Sequence, residues 1–292
     1  MPKKYQLKNN IGFFFILPWL IGFLVFKVYP FLSSAYYSFT SYNLMGDPKW
    51  VGFDNYVRMF TRDRNFIPAL VVTLKFVILA VPVRLALALL VALLLNRRSR
   101  TMDFFRTVYY LPSLVGGSVA VAMIWRVLFS ETGVVNSFLA KLGIPAVSWL
   151  GPNTALFTIS LLNIWQFGGT MVLFLAALRG IPKYLYEAAA VDGVPPLTRF
   201  FKITLPMISS IVFFNLIMSL VNAFQEFNSA LLITGGGPLR STYLYGYMLY
   251  ENAFLNYKMG YASAQSWVLF AIIMVLTIII FKTSDNWTYY ED

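Results

Sequence analysis

The chain has 292 residues, 59% of them hydrophobic and only 12% charged, with a mean hydropathy of +0.67, whereas a soluble domain carries about 25% charged residues. That composition marks a polytopic membrane protein, and because the formal charge of +11 falls mostly between apolar runs, it reads as membrane topology rather than nucleic-acid binding. With no cysteine and no histidine, disulfides, zinc–thiolate sites, imidazole metal ligands and histidine general bases are excluded, and no paired-carboxylate constellation offers an enzyme another route.

The first predicted span is residues 11–31. Lys3, Lys4 and Lys8 precede it and Ser33-Ser34-Ala35 resembles a cleavage site. Its apolar run is longer than the roughly 7–15 residues of a signal peptide, so an uncleaved helix is expected. An aromatic connection, "WVGFDNYVRMF", leads to the second span, 69–95. This span carries Lys75 and Arg84, nine positions apart and so on opposite faces of an ideal helix, with Pro82 as a potential kink. Arg84 is too deep to snorkel comfortably, leaving two readings: an internal pair with Glu226, or a contact to an anionic substrate. "NRRSR", from Asn96 to Arg100, then anchors the chain on the inner side.

The third span, 107–129, has Met123, Trp125 and Arg126 towards its outer end, weaker candidates for a substrate path. The fourth, 155–178, contains "NIWQFGGT", where Asn163, Trp165 and Gln166 offer amide and ring chemistry and Gly168-Gly169 permit a kink or close packing. Between spans four and five lies a polar stretch, "EAAAVDGVPPLTRFFKITLP". Pro182 suits the start of a short helix and Glu187 its positive end. Gly193 permits a left-handed stop, and Pro195 and Pro196 prevent continuation. Such a helix of two to three turns is marginal alone, so something must pack on it.

The fifth span, 203–233, contains "LVNAFQEFNSA". Asn222, Gln225 and Glu226 fall at i, i+3 and i+4 and so are expected on one helix face. Amides and a carboxylate beside Phe224 and Phe227 suit a sugar, whose hydroxyls need hydrogen bonds while its C–H faces stack; the alternative is polar glue between helices. A tyrosine-rich connection containing "TGGGP" leads to the sixth span, 262–281. Placing the N-terminus inside puts twelve Lys and Arg residues on the inner side, among them Arg97, Arg98, Arg179 and Lys183, against seven on the outer side. Both termini are therefore expected in the cytoplasm.

Glu187-Ala188-Ala189, then Gly193, Ile203, Leu205 and Pro206, resembles the EAA signature of binding-protein-dependent ABC importer permeases. "VGFDNYVRMF", "YLPSLVGGSVAVAMIWRVLF", "GIPKYLYEAAAVDG", "TGGGP" and "YENAF" followed by "MGYASA" resemble the carbohydrate branch, which includes maltose, multiple-sugar and glycerol-phosphate permeases. The "TGGGP" segment resembles the maltose-F-like member of the permease pair, although this chain has only six expected spans and no large periplasmic insertion. The resemblance covers essentially the whole chain. It implies an all-α, six-span type I ABC importer permease fold in a single domain, residues 1–292, with a coupling loop at about 180–206. It further implies that Glu187, Ala188, Ala189, Asp192 and Gly193 couple to an ATPase, the alanines allowing close approach. Asn163, Trp165, Gln166, Arg84, Asn222, Gln225 and Glu226 are the substrate-pathway candidates, with the resemblance placing the span-five group at a sugar site.

The partners implied are a second EAA-containing permease, two cytoplasmic ATPases, an extracytoplasmic solute-binding protein, a sugar or oligosaccharide and the lipid bilayer, in a bacterial or archaeal cytoplasmic membrane. No cofactor is expected in this chain. It lacks the GxxxxGK[ST] phosphate loop, so ATP and magnesium belong to the ATPases. Two rivals are an ion-coupled secondary transporter, which wants an ion site and paired repeats, and a membrane-embedded enzyme, which wants a catalytic cluster. The sequence presents neither.

Overall fold

The computed structural model describes residues 14–97, 99–284 and 287–289. The expectations attached to Lys3, Lys4, Lys8 and Arg98 lie outside those residues. The described chain is all-helical apart from one antiparallel bridge between Thr40 and Trp50. Three helices cross-match a membrane by length and hydropathy, and the number rises to six when each of three sharply bent helix pairs is taken as one span. By contacts the chain divides into two compact units, 1–63 with 249–270 and 64–248 with 271–292.

In the first unit, α1 (Phe14–Ser38) is followed by a short helix, α2 (Asp54–Thr61). Asn55, buried, donates from its amide to the carbonyls of Ser38 and Thr40, each at 2.9 Å, and so ties α2 to the end of α1. Gly260 explains itself by proximity: a Cβ there would stand 2.1 Å from the Thr40 carbonyl oxygen, and its N–H donates to Tyr42 at 2.9 Å. Trp267 adds a ring contact with Phe31 at 4.8 Å and donates its indole N–H to Ser34 Oγ at 3.2 Å.

The second unit is built on α3 (Phe66–Leu94). Its buried stripe runs Ala69, Thr73, Phe76, Ala80, Ala88 and Ala92, with the four alanines at 0% exposure. Small residues let neighbouring helices approach closely where lipid gives no hydrophobic drive. The opposite face keeps Ile67, Ile78 and Leu94 exposed, as a lipid-facing surface does. Arg84 falls on the stripe side, half-buried, and Lys75 is exposed. Pro82 lies within α3 without ending it. Around α3 pack α8 (Gly168–Gly180) and α11 (Ser209–Phe224), with Met171, Phe174 and Ile208 at the centre of the apolar cluster.

Three expected single spans are divided. Residues 107–129 become α4 (Arg100–Val115) and α5 (Val119–Leu128), bent by 103°. Gly116 and Gly117 weaken the helix, and Ser118 starts a new one by accepting from Val121 N–H at 3.3 Å. The fourth span breaks between α7 (Ala155–Trp165) and α8 by 44°, where Gly168-Gly169 allowed it. The fifth divides into α10 (Pro196–Met207) and α11, bent by 68°, and α11 ends at Phe224 rather than continuing to 233. Between these spans lie α6 (Val134–Lys141), which follows α5, and α9 (Lys183–Val191), which precedes α10.

Candidate functional site: a capped loop helix and an opened turn

The loop between the fourth and fifth spans is ordered by its own ends. Pro182 enters α9 from an extended conformation. Past the last helical residue, Gly193 adopts φ +67, its N–H reaching the Ala190 carbonyl at 3.2 Å while Val194 N–H reaches Ala189 at 3.0 Å. These two bonds form the Schellman closure, which satisfies carbonyls that a helix end leaves open. Arg199 Nε then donates to the Val194 carbonyl at 2.6 Å, and the Tyr186 and Thr204 hydroxyls meet at 2.8 Å, fixing α9 to α10.

Of the residues expected to act together, Glu187, Ala188, Asp192 and Gly193 are exposed, whereas Ala189 is buried at 6%. Ala189 therefore packs inward and supports the helix from beneath. The exposed side adds apolar groups that the motif does not include: Tyr184, Val191 and Leu197 are 65%, 88% and 72% exposed. Beside the base of α9 opens a cavity of about 340 Å³ whose lining includes the cations Arg179 and Lys183, with Asn96 and Tyr186.

The second cluster surrounds the break in span four. With no helical residue at Gln166 or Phe167, the Gln166 carbonyl leaves the helical ladder. It accepts instead from Arg84 Nη2 at 3.1 Å and from Ser113 Oγ at 3.2 Å, and Ser113 Oγ in turn accepts from Gly169 N–H at 2.8 Å. The Gln166 side chain occupies the space that a Cβ on Gly116 would need, 2.3 Å from that position. Thus the breaks of spans three and four are held against each other, and Arg84 and Ser113 stitch the opened turn. Gly168 serves the same approach, since a Cβ there would lie 2.3 Å from the Tyr109 carbonyl oxygen.

Among the described residues no ion pair joins Glu226 to Arg84. The Glu226 Oε1 is engaged locally, accepting from Ser229 N–H at 3.0 Å and Ser229 Oγ at 2.9 Å. That local bond opens a new helical turn and corrects the expectation for span five. Asn222, Gln225 and Glu226 do not share a helix face, because Gln225 is the C-cap of α11 and Glu226 lies beyond it. Asn222 and Gln225 are exposed and Glu226 is half-buried. Gly246 admits this irregular backbone, its missing Cβ lying 2.8 Å from the Glu226 carbonyl oxygen. Asn163 is half-buried, two residues before Trp165, which is 36% exposed.

Sequence reasoning missed Ser113, an ordinary hydroxyl within "YLPSLVGG", and no local signal marks it. It missed Phe129 and Trp149 as well, although both are aromatics beside the ends of α5 and α7 and Trp125 stands between Phe129 and Trp165.

The family model described as "Binding-protein-dependent transport system inner membrane component" matches residues 84–287. A protein of Bacillus subtilis (strain 168), "Probable ABC transporter permease protein YesP", is 47% identical over 99% of this chain and 95% of its own length. The "sn-glycerol-3-phosphate transport system permease protein UgpA" of Escherichia coli (strain UTI89 / UPEC) is 33% identical over 96% of each chain. Among solved structures, a chain of a bacterial ABC transporter involved in the import of the acidic polysaccharide alginate superposes with TM-score 0.83 at 24% identity, covering 98% of this chain and 99% of that one. At that identity it shows the fold.

Proposed function

The chain belongs to the family of inner-membrane components of binding-protein-dependent transport systems, and from that premise we propose that it forms half of the pathway through which a bacterial or archaeal cytoplasmic membrane imports sugars or oligosaccharides. Its role as an ABC importer permease, a multi-pass transporter subunit and not an enzyme, follows from the family and its relatives, and the ion-coupled alternative falls away. Relatives and structural neighbours named for glycerol phosphate, starch degradation products and alginate support a carbohydrate cargo, acidic ones included.

The observation that carries the coupling role is the exposed face of α9. A capped helix that leaves Tyr184 and Val191 exposed, with Leu197 of α10 exposed as well, is an unfinished interface. One of two cytoplasmic ATPases, which carry ATP and magnesium, closes it: Glu187 meets polar groups, Ala188 admits close contact, and Gly193 with Asp192 sets the exit of the chain. The Arg179–Lys183 cavity suits an acidic side chain of the same ATPase. A second permease with its own EAA loop completes the pathway, and an extracytoplasmic solute-binding protein delivers the cargo. When ATP closes the ATPase pair, α9 moves with it and the α9–α10 bonds pass the motion to span five. Along the pathway, Asn163, Gln166, Asn222, Gln225 and Glu226 supply hydrogen bonds, Trp165 a stacking surface, and Arg84 holds the opened turn.

The test is reconstitution of the complete importer with its solute-binding protein against a glycan panel. ATP-dependent uptake of at least one sugar supports the reading. Uptake driven by an ion gradient without ATPases would overturn it.

A further inference from the structure

Trp165, Trp125, Phe129 and Trp149 form one continuous row of rings. Trp165, at the end of α7, lies 5.7 Å by ring centroid from Trp125 of α5, which lies 5.0 Å from Phe129, itself 5.6 Å from Trp149. The row begins beside the opened turn at Gln166 and ends in the connection before α7, so it accompanies the eleven residues of α7, a rise of about 16 Å. Phe66, Phe76 and Phe174, aromatics of the packed core of this unit, are enclosed at 1%, 0% and 1% exposure. The four rings of the row are not: Trp165 is 36% exposed and the other three are half-buried.

Two of the indoles are pinned by their N–H groups. Trp125 Nε1 donates to the Thr158 carbonyl at 3.0 Å and Trp149 Nε1 donates to Asn136 Oδ1 at 3.0 Å. Asn136, at 4% exposure, fixes the loop by donating to the Glu131 and Val147 carbonyls at 3.0 and 2.9 Å. With both polar edges occupied, what these rings offer a guest is their apolar surface at a fixed position.

We propose that this row is a stacking track for pyranose rings, leading from the outer end of span four to the opened turn at Gln166. It rests on the carbohydrate reading above and deepens it, because it selects cargo by the apolar C–H face of a sugar ring rather than by its hydroxyl pattern. Successive platforms lie close enough together for a sugar unit to meet the next ring before leaving the last. Several weak, equivalent sites pass a cargo on where one deep site would hold it. An oligosaccharide engages more than one ring at once, so the track favours oligomers over single sugars.

The experiment uses the complete importer and its solute-binding protein in proteoliposomes, with tritiated oligosaccharides prepared from starch, alginate, pectin and xylan and graded from single sugars upward. Trp125→Leu is expected to lower uptake of the best-carried oligomer about tenfold, the loss of stacking on one fixed ring, and to lower uptake of its single sugar by less. Trp125→Phe, which keeps a ring but gives up the bond to Thr158, restores most of the uptake. Gel filtration checks that each variant assembles, and Trp165→Leu, at the most exposed ring, replaces Trp125→Leu should that variant fail to assemble. Unchanged oligomer uptake in assembled leucine variants overturns the track, and so does an equal loss at every length or a phenylalanine variant as impaired as the leucine one. A wild-type importer that carries no sugar overturns the carbohydrate reading itself, a result distinct from these.

Discussion

Arg84 is the residue whose placement most needs a cause, since a permanently charged guanidinium on the packed stripe of a membrane helix is costly without partners. The cause is the carbonyl of Gln166, released by the break in span four and shared by Arg84 and Ser113. Arg84→Gln should therefore lower the stability of the purified complex by about 1.5–3 kcal/mol, the scale of a hydrogen bond from a charged donor. Ser113→Ala removes bonds to both Gln166 and Gly169. The double variant should be non-additive because both act on one carbonyl; additive thermal-unfolding losses would contradict the stitch. Acidic and neutral sugars transported by Arg84→Gln then separate a second role: selective loss of acidic cargo identifies a substrate contact. At this scale the sequence disclosed half the arrangement. A charge at mid-span singles out Arg84, but its partner is a backbone atom, free only because a helix opens, and no side-chain pattern announces that. Gln225 was legible as polar chemistry and misread in geometry. It is an exposed C-cap, and on the proposed pathway role Gln225→Leu should weaken sugar uptake by about 1–3 kcal/mol of lost hydrogen bonding, leaving thermal stability unchanged.

At the scale of elements, α9 was readable because its punctuation is local: Pro182 before it, Gly193 after it, Pro195 and Pro196 beyond. The cap geometry confirms that reading, and the empty space around Gly193 makes the cost of a side chain there purely conformational. Gly193→Val should destabilise the left-handed cap by about 1–2 kcal/mol, leave membrane insertion intact and reduce uptake by misdirecting α9. Ala188→Trp should instead keep stability while blocking the docking face, seen as loss of ATPase in pull-down. A variant that retains both ATPase binding and uptake would remove Ala188 from the interface. The broken spans were less legible. Gly168-Gly169 suggested a kink, but the ending of α11 depends on Glu226 reaching Ser229, a side-chain choice that an apolar run with helical spacing does not reveal. The same apolar runs were sufficient to locate all six spans, because hydropathy over about 20 residues depends on composition and is indifferent to a bend within it.

For the whole molecule, the proposed topology assigns the α9 loop to the cytoplasm and the α6 connection to the outside. The chain has no native cysteine, so single cysteines report cleanly. Lys141→Cys should react with an impermeant thiol reagent applied to intact cells and Leu197→Cys should not; the reverse pattern would invert the orientation. That assignment rests on the excess of Lys and Arg in the loops of one side. Which subunit covers α9 was not readable from composition or spacing, because the partner's surface is no part of this chain. Whether α9 transmits ATPase motion is decided by Ala188→Cys in the assembled importer, cross-linked by copper-catalysed oxidation to single cysteines placed across the ATPase cleft. A cross-linked permease–ATPase product is expected, its yield changing when ATP closes the ATPase pair and its formation arresting uptake until the disulfide is reduced. Absence of any cross-link along the cleft, or uptake that continues at the wild-type rate with the cross-link formed, would contradict it.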